Sequence, residues 1–180
     1  VYGIWLLTWA AVGYFELLDL GIGQSVARFV AECRAREDAD GLNRVCSSCF
    51  LFYTGASVVT LLATLLLARF FPHWFRVSPE HAAVASTLLL LAGVRLAVGL
   101  PLRVFAGVLG GIQRLASATY IGVAAAVLTA ILTVVVLVQG YGIVAVGVVT
   151  LAVGVLSDVA HYFAASRLLP GLRIALSLCS

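Results

Sequence analysis

An all-α bundle of membrane-crossing helices is the fold class this chain predicts, and three observations point to it. Of its 180 residues, 63% are hydrophobic and 11% charged, whereas a water-soluble domain carries about a quarter Asp, Glu, Lys and Arg. The apolar residues fall in runs long enough for the roughly 20 residues a helix needs to cross hydrocarbon. All 11 basic residues are arginines, and most of them sit in the gaps between those runs.

The first run, 2 to 23, is apolar apart from Glu16 and Asp19. Gln24 to Arg44 reads as a helical extension and turn: Arg28 with Glu32, and Glu32 with Arg36, stand four apart on one helix face, and Asp38 to Gly41 breaks the helix. The second span, 45 to 69, has no charge between Arg44 and Arg69. Pro72, His73, Trp74, Phe75 and Pro79 then form a loop whose aromatics, with Tyr2 and Trp5, suit an interfacial belt. The third span, 82 to 112, is interrupted by Arg95, Pro101 and Arg103. From Leu115 to Ser157 the chain is uncharged and too long for one crossing; Gln139-Gly140-Tyr141-Gly142 divides it into spans 115 to 138 and 142 to 167. These five spans make one transmembrane domain over residues 1–180, with no separate soluble unit.

Consecutive spans alternate in direction, so Arg28, Arg34, Arg36, Arg44, Arg114, Arg167 and Arg173 share one side against Arg69 and Arg76 on the other. The positive-inside rule makes the richer side cytoplasmic. That places Val1 outside, the 24–44 loop and the C-terminal end inside, and the chain in the inner (plasma) membrane. Cys33, Cys46, Cys49 and Cys179 fall at or beside the cytoplasmic face, where thiols stay reduced. Cys46-Ser-Ser-Cys49 has the spacing of half a metal or redox site, but no second Cys or His pair completes it.

The net charge of +3 comes from dispersed arginines rather than a basic surface with interleaved aromatics, which argues against nucleic acid as a partner. No nucleophile-base set, metal-ligand constellation or nucleotide loop is present, so neither enzyme nor cofactor chemistry is expected. The chain has no methionine, and its opening stretch lacks the basic start and cleavage site of a secretory signal. It is expected to be an internal piece of a longer protein.

Ionisable groups at membrane depth cost at least about 2.5–3.5 kcal/mol each, so they face a cavity or a partner. Glu16 and Asp19 share a face of the first span. Arg95 and Arg103 share a face of the third, with Gly99 between them. Asp158 and His161 extend a stripe through Gly147, Thr150 and Gly154 on the last. Lines of opposite charge placed around a common space neutralise one another when it is empty. Such a space suits a substrate with an anionic head group, gripped by the Arg95 and Arg103 guanidinium forks, while Glu16, Asp19 or Asp158 carries a coupling ion or pairs with the arginines. The alternative is that these charges only set helix register. Gly107 and Gly111 have the spacing of close helix contacts, and Pro101 frees a backbone carbonyl beside both arginines, where a gate has room to flex.

Tyr2-Gly3-Ile4-Trp5, Leu17-Leu18-Asp19-Leu20-Gly21-Ile22-Gly23 and Val26-Ala27-Arg28-Phe29-Val30-Ala31-Glu32 resemble the second helix and following loop of the polysaccharide-biosynthesis flippases of the multidrug, oligosaccharidyl-lipid and polysaccharide exporter superfamily. Pro101 to Arg114 and the Gly140-Tyr141-Gly142 turn resemble that family's later helices. The resemblance implies a protein of roughly twelve to fourteen helices in two pseudo-symmetric lobes, with this chain supplying helices two to six of the N-terminal lobe. It implies export of a polyprenyl-pyrophosphate-linked oligosaccharide to the outer leaflet, with membrane lipid and the missing C-terminal lobe as partners. Asp19, Gly21, Gly23 and Arg28 match the family motif, which assigns none of them a task, while Glu16 departs from the small or apolar residue usual there; Arg28 stands with Arg95 and Arg103 as a substrate-binding candidate. Two other readings stand beside this one: a cation-coupled exporter of organic cations, using Glu16, Asp19 and Asp158, and a non-transporting membrane assembly protein.

Overall fold

A computed structural model describes residues 22–36, 38–74, 79–112 and 115–168. Five helices account for nearly all of them: α1 Ile22–Ala35, α2 Ala39–Trp74, α3 Pro79–Gly111, α4 Leu115–Val138 and α5 Ile143–Leu168. Four of these hold apolar stretches long enough to cross a membrane: Asp40–Phe70, Ala82–Gly111, Ala116–Val138 and Ile143–Leu168. The 14 described residues of α1 are fewer than a crossing needs. The first expected span, with Glu16 and Asp19, falls almost wholly outside the described residues.

The break between α1 and α2 comes a little earlier than the Asp38–Gly41 expectation, because Asp38 caps α2 instead of ending a loop. Its Oδ1 accepts the Gly41 N–H at 2.7 Å, giving one of the helix's first, otherwise orphaned donors an acceptor, and its carbonyl accepts Leu42 N–H at 3.1 Å as the first regular bond of the helix. On the other side of the break, Asp38 N–H closes back on Cys33 O at 2.9 Å. Glu32 pairs with Arg36 at 2.8 Å.

Helix takes up both ends of the loop expected over Pro72–Pro79. α2 continues through Pro72 to Trp74, and Pro79 is the first residue of α3, a position where its missing N–H costs nothing. The helix tolerates Pro72 through a borrowed donor. Proline has no N–H to give to the carbonyl four residues back, and that carbonyl, Ala68 O, accepts Ser86 Oγ–H from α3 at 3.0 Å. The same exchange runs the other way. Pro101 leaves Ala97 O without its helical donor, and Ser57 Oγ–H on α2 reaches it at 2.5 Å. Two proline-vacated carbonyls, one in each helix, are thus each capped by a serine of the other, and α3 stays one helix through Pro101.

Between α4 and α5, Gly140 takes φ 80°. Its N–H reaches Leu137 O at 3.1 Å and Tyr141 N–H reaches Val136 O at 3.0 Å, the paired bonds of a Schellman C-cap, whose left-handed residue is glycine because a Cβ is disfavoured there. α3 is the inner helix, with 44% of its apolar window buried, whereas α4 has none of its own buried. The core joins Val26 and Val30 of α1, Cys46 and Tyr53 of α2, Leu100, Val104, Phe105, Val108 and Leu109 of α3, and Ala165 of α5. Gly111 belongs to this packing: a Cβ there would stand 2.6 Å from Ala27 O and 2.7 Å from the Val30 side chain, so α1 lies directly against the end of α3. α4 leans on α5 and hardly touches α3, turning Val127, Ile131, Val134 and Leu137 outward. An uncharged helix exposed in this way is suited to lipid.

Candidate functional site

Because α4 packs on α5 and stands off α3, a cavity of about 340 Å³ opens among the three helices. α3 contributes Leu88, Leu91, Ala92, Leu96 and the line Arg95, Gly99, Arg103, spaced one helical turn apart. α5 contributes Gly147, Thr150, Leu151, Val153, Gly154 and Ser157; α4 contributes Gly122, Ala125, Ala126 and Thr129.

The electrostatic centre is an ion pair between α3 and α5: Arg95 Nη1 donates to Asp158 Oδ2 at 2.7 Å. The two side chains are 29% and 15% exposed, respectively. Two glycines make room for it. A Cβ on Gly154 would overlap the Arg95 guanidinium, and one on Gly99 would stand 2.5 Å from Arg95 Nη1 and 3.3 Å from Asp158 Oδ2. Arg103 and His161 also face Asp158 electrostatically. His161 Nδ1 lies 2.8 Å from Ser157 O; since a carbonyl only accepts, Nδ1 carries a proton and donates.

The remaining polar groups are sparse. Thr129 and Thr150 donate to their own helices, at Ala125 O and Val146 O, and keep only acceptor capacity for a ligand. The Ser157 hydroxyl and the Arg95 N–H groups outside the ion pair have no acceptor among the described residues. Among the described residues, Arg95 and Arg103 bring two guanidiniums to walls that are otherwise apolar apart from a few hydroxyls, and planar guanidiniums are suited to the oxygens of an oxyanion.

Of the residues singled out in the sequence, Arg95, Arg103 and Asp158 come together, Arg95 and Arg103 on the cavity wall and Asp158 paired with Arg95. Arg28 does not join them; it is exposed on α1 and outside the cavity lining. Glu16 and Asp19 lie outside the described residues. The contribution of α4 was not anticipated, although its signal is present: Gly122, Ala125, Ala126 and Thr129 stand at i, i+3, i+4 and i+7, a small-residue stripe in a helix of Val, Leu and Ile. Ser157 was missed as well. Among the described residues no group of three or more His, Cys, Asp or Glu side chains is placed to hold a metal ion; Cys33, Cys46 and Cys49 are free thiols.

No curated protein and no solved structure matches the chain. The MatE family model matches residues 5–136, a stretch that takes in Arg95 and Arg103 and stops short of Asp158.

Proposed function

The chain belongs to the MatE family, a family of membrane transporters, and from that premise we propose that it moves a polyprenyl-pyrophosphate-linked oligosaccharide from the cytoplasmic to the outer leaflet. The observation that carries this reading is the 340 Å³ cavity, apolar except for Arg95, Arg103 and a few hydroxyls, between span-length helices. Arginine in hydrocarbon is costly unless it serves a partner or a pathway, and planar guanidiniums match the oxygens of a pyrophosphate. The cavity is at the small end of ligand pockets. It suits the charged head; the sugars need the further space a second lobe supplies, and the isoprenoid tail stays in lipid. The weak seam between α3 and α4 offers the tail a lateral exit.

Cells lacking the intact protein should accumulate lipid-linked repeat units on the cytoplasmic leaflet, and Arg95→Glu or Arg103→Glu should reproduce that defect at normal protein levels. Normal glycan export in both variants would overturn the assignment. Export of organic cations is less well supported, since Asp158, the acid beside this cavity among the described residues, is already held by Arg95. Efflux of a fluorescent cationic dye that depends on Asp158, without a glycan phenotype, would reverse the ranking.

A further inference from the structure

We propose that Asp158 is an internal competitor for the anion: it holds Arg95 while the cavity is empty and yields it to an oxyanion head group, so that loading severs the ion pair joining α3 to α5. This rests on the reading that the cavity takes an anionic head group, and it adds how occupancy reaches the helices.

Four features support the exchange. The pair is single-pronged: one contact, Nη1 to Oδ2 at 2.7 Å, where guanidinium and carboxylate are able to make two parallel ones. The other N–H groups of Arg95 have no acceptor among the described residues, so an incoming phosphate finds donors already in place. Second, Arg95 lines the cavity and Asp158 is not among its lining residues, so the ligand meets the arginine first. Third, Gly99 and Gly154 flank the guanidinium where a Cβ would collide with it, leaving it a slot in which to turn. Fourth, Asp158 keeps a polar neighbour when Arg95 departs, because His161 follows it by three residues on the same face of α5. Each of these lowers the cost of exchanging a protein carboxylate for a more highly charged oxyanion, and the exchange releases α5 from α3.

The intact protein in lipid nanodiscs is titrated with inorganic pyrophosphate and, in parallel, with a short prenyl pyrophosphate. Asp158→Asn, which removes the competitor, should tighten pyrophosphate binding about fivefold, as expected for loss of a modest ion pair, and Arg95→Ala should abolish it. Unchanged or weaker binding by Asp158→Asn overturns the proposal. Tighter binding of the prenyl compound identifies a lipid head group as the source and equal binding a free anion; the competition stands in both cases. A fluorescent pair of unnatural amino acids at Val98 and Phe163, exposed on α3 and α5, reads the same event with Arg95 and Asp158 intact, should Asp158→Asn fail to fold. Saturating pyrophosphate should change their separation; no change overturns the latch. If the unaltered protein binds neither compound, the anion reading itself falls.

Discussion

The Ser57 hydroxyl donates to the Ala97 carbonyl, 2.5 Å away across the α2–α3 seam, and that carbonyl is the one Pro101 leaves without a helical donor. A buried carbonyl without a partner is costly, so the serine and the proline are energetically linked though they never bond each other. Ser57→Ala should destabilise the protein by about 1 kcal/mol, in line with interhelical hydrogen bonds in membranes. In a Pro101→Ala background, where an N–H returns, the same change should cost much less. Thermal unfolding of the four proteins in one detergent gives this double-mutant cycle; additive effects would refute the link.

Loss of one member of the Arg95–Asp158 pair leaves a partly buried charge. Arg95→Ala should therefore cost about 2 kcal/mol, below the figure for fully buried pairs because both side chains retain some exposure. Joint replacement by Met and Leu should recover much of that loss. Denaturation midpoints of the single and double variants check it.

Gly122 faces the cavity from α4 with nothing within 4 Å of where a Cβ would sit. Gly122→Leu should consequently fill the space at little cost in stability and cut transport roughly tenfold, the order of loss expected when a pocket is blocked. Equal melting temperatures with reduced flux in vesicles would meet the expectation; undiminished flux would not.

At the turn after α4, Gly140 has φ 80° while Gly142 has no positive φ. Gly140→Ala should lose about 1 kcal/mol, the cost of a Cβ in the left-handed region, and Gly142→Ala should lose less. Comparison of the two melting curves tests the cap independently of the cavity.

The arginine distribution predicts an orientation that impermeant thiol reagents read directly. A cysteine at Gln139 should be labelled in intact cells, and one at Asp40 only after permeabilisation. The opposite pattern would invert the topology.

The spans were legible because their signal is local. A run such as 115 to 138 is helical and membrane-crossing whatever surrounds it, and the structure has α4 as Leu115–Val138. The Gly140 turn was equally readable, since left-handed backbone at a helix end calls for glycine. Pro72 misled for the same local reason: it signals an end to the helix, and the donor that lets the helix continue is Ser86, 18 residues beyond Ala68. At Pro101 the freed carbonyl was foreseen, but not the serine that caps it.

Residue order was thus enough to mark four apolar segments long enough to cross a membrane and the Gly140 turn between two of them. It left open which acid meets Arg95, since Glu16, Asp19 and Asp158 were all eligible, and the small-residue stripe of α4 does not by itself say which helices it faces. Those matters belong to assembly. Among helices in lipid there is no difference in hydrophobicity to choose a facing side, so the rotation of each helix is settled by close contacts at its neighbours. Here the glycine slot at Gly99 and Gly154 and the weak α3–α4 seam bring the Asp158 carboxylate to the arginine and leave room beside it.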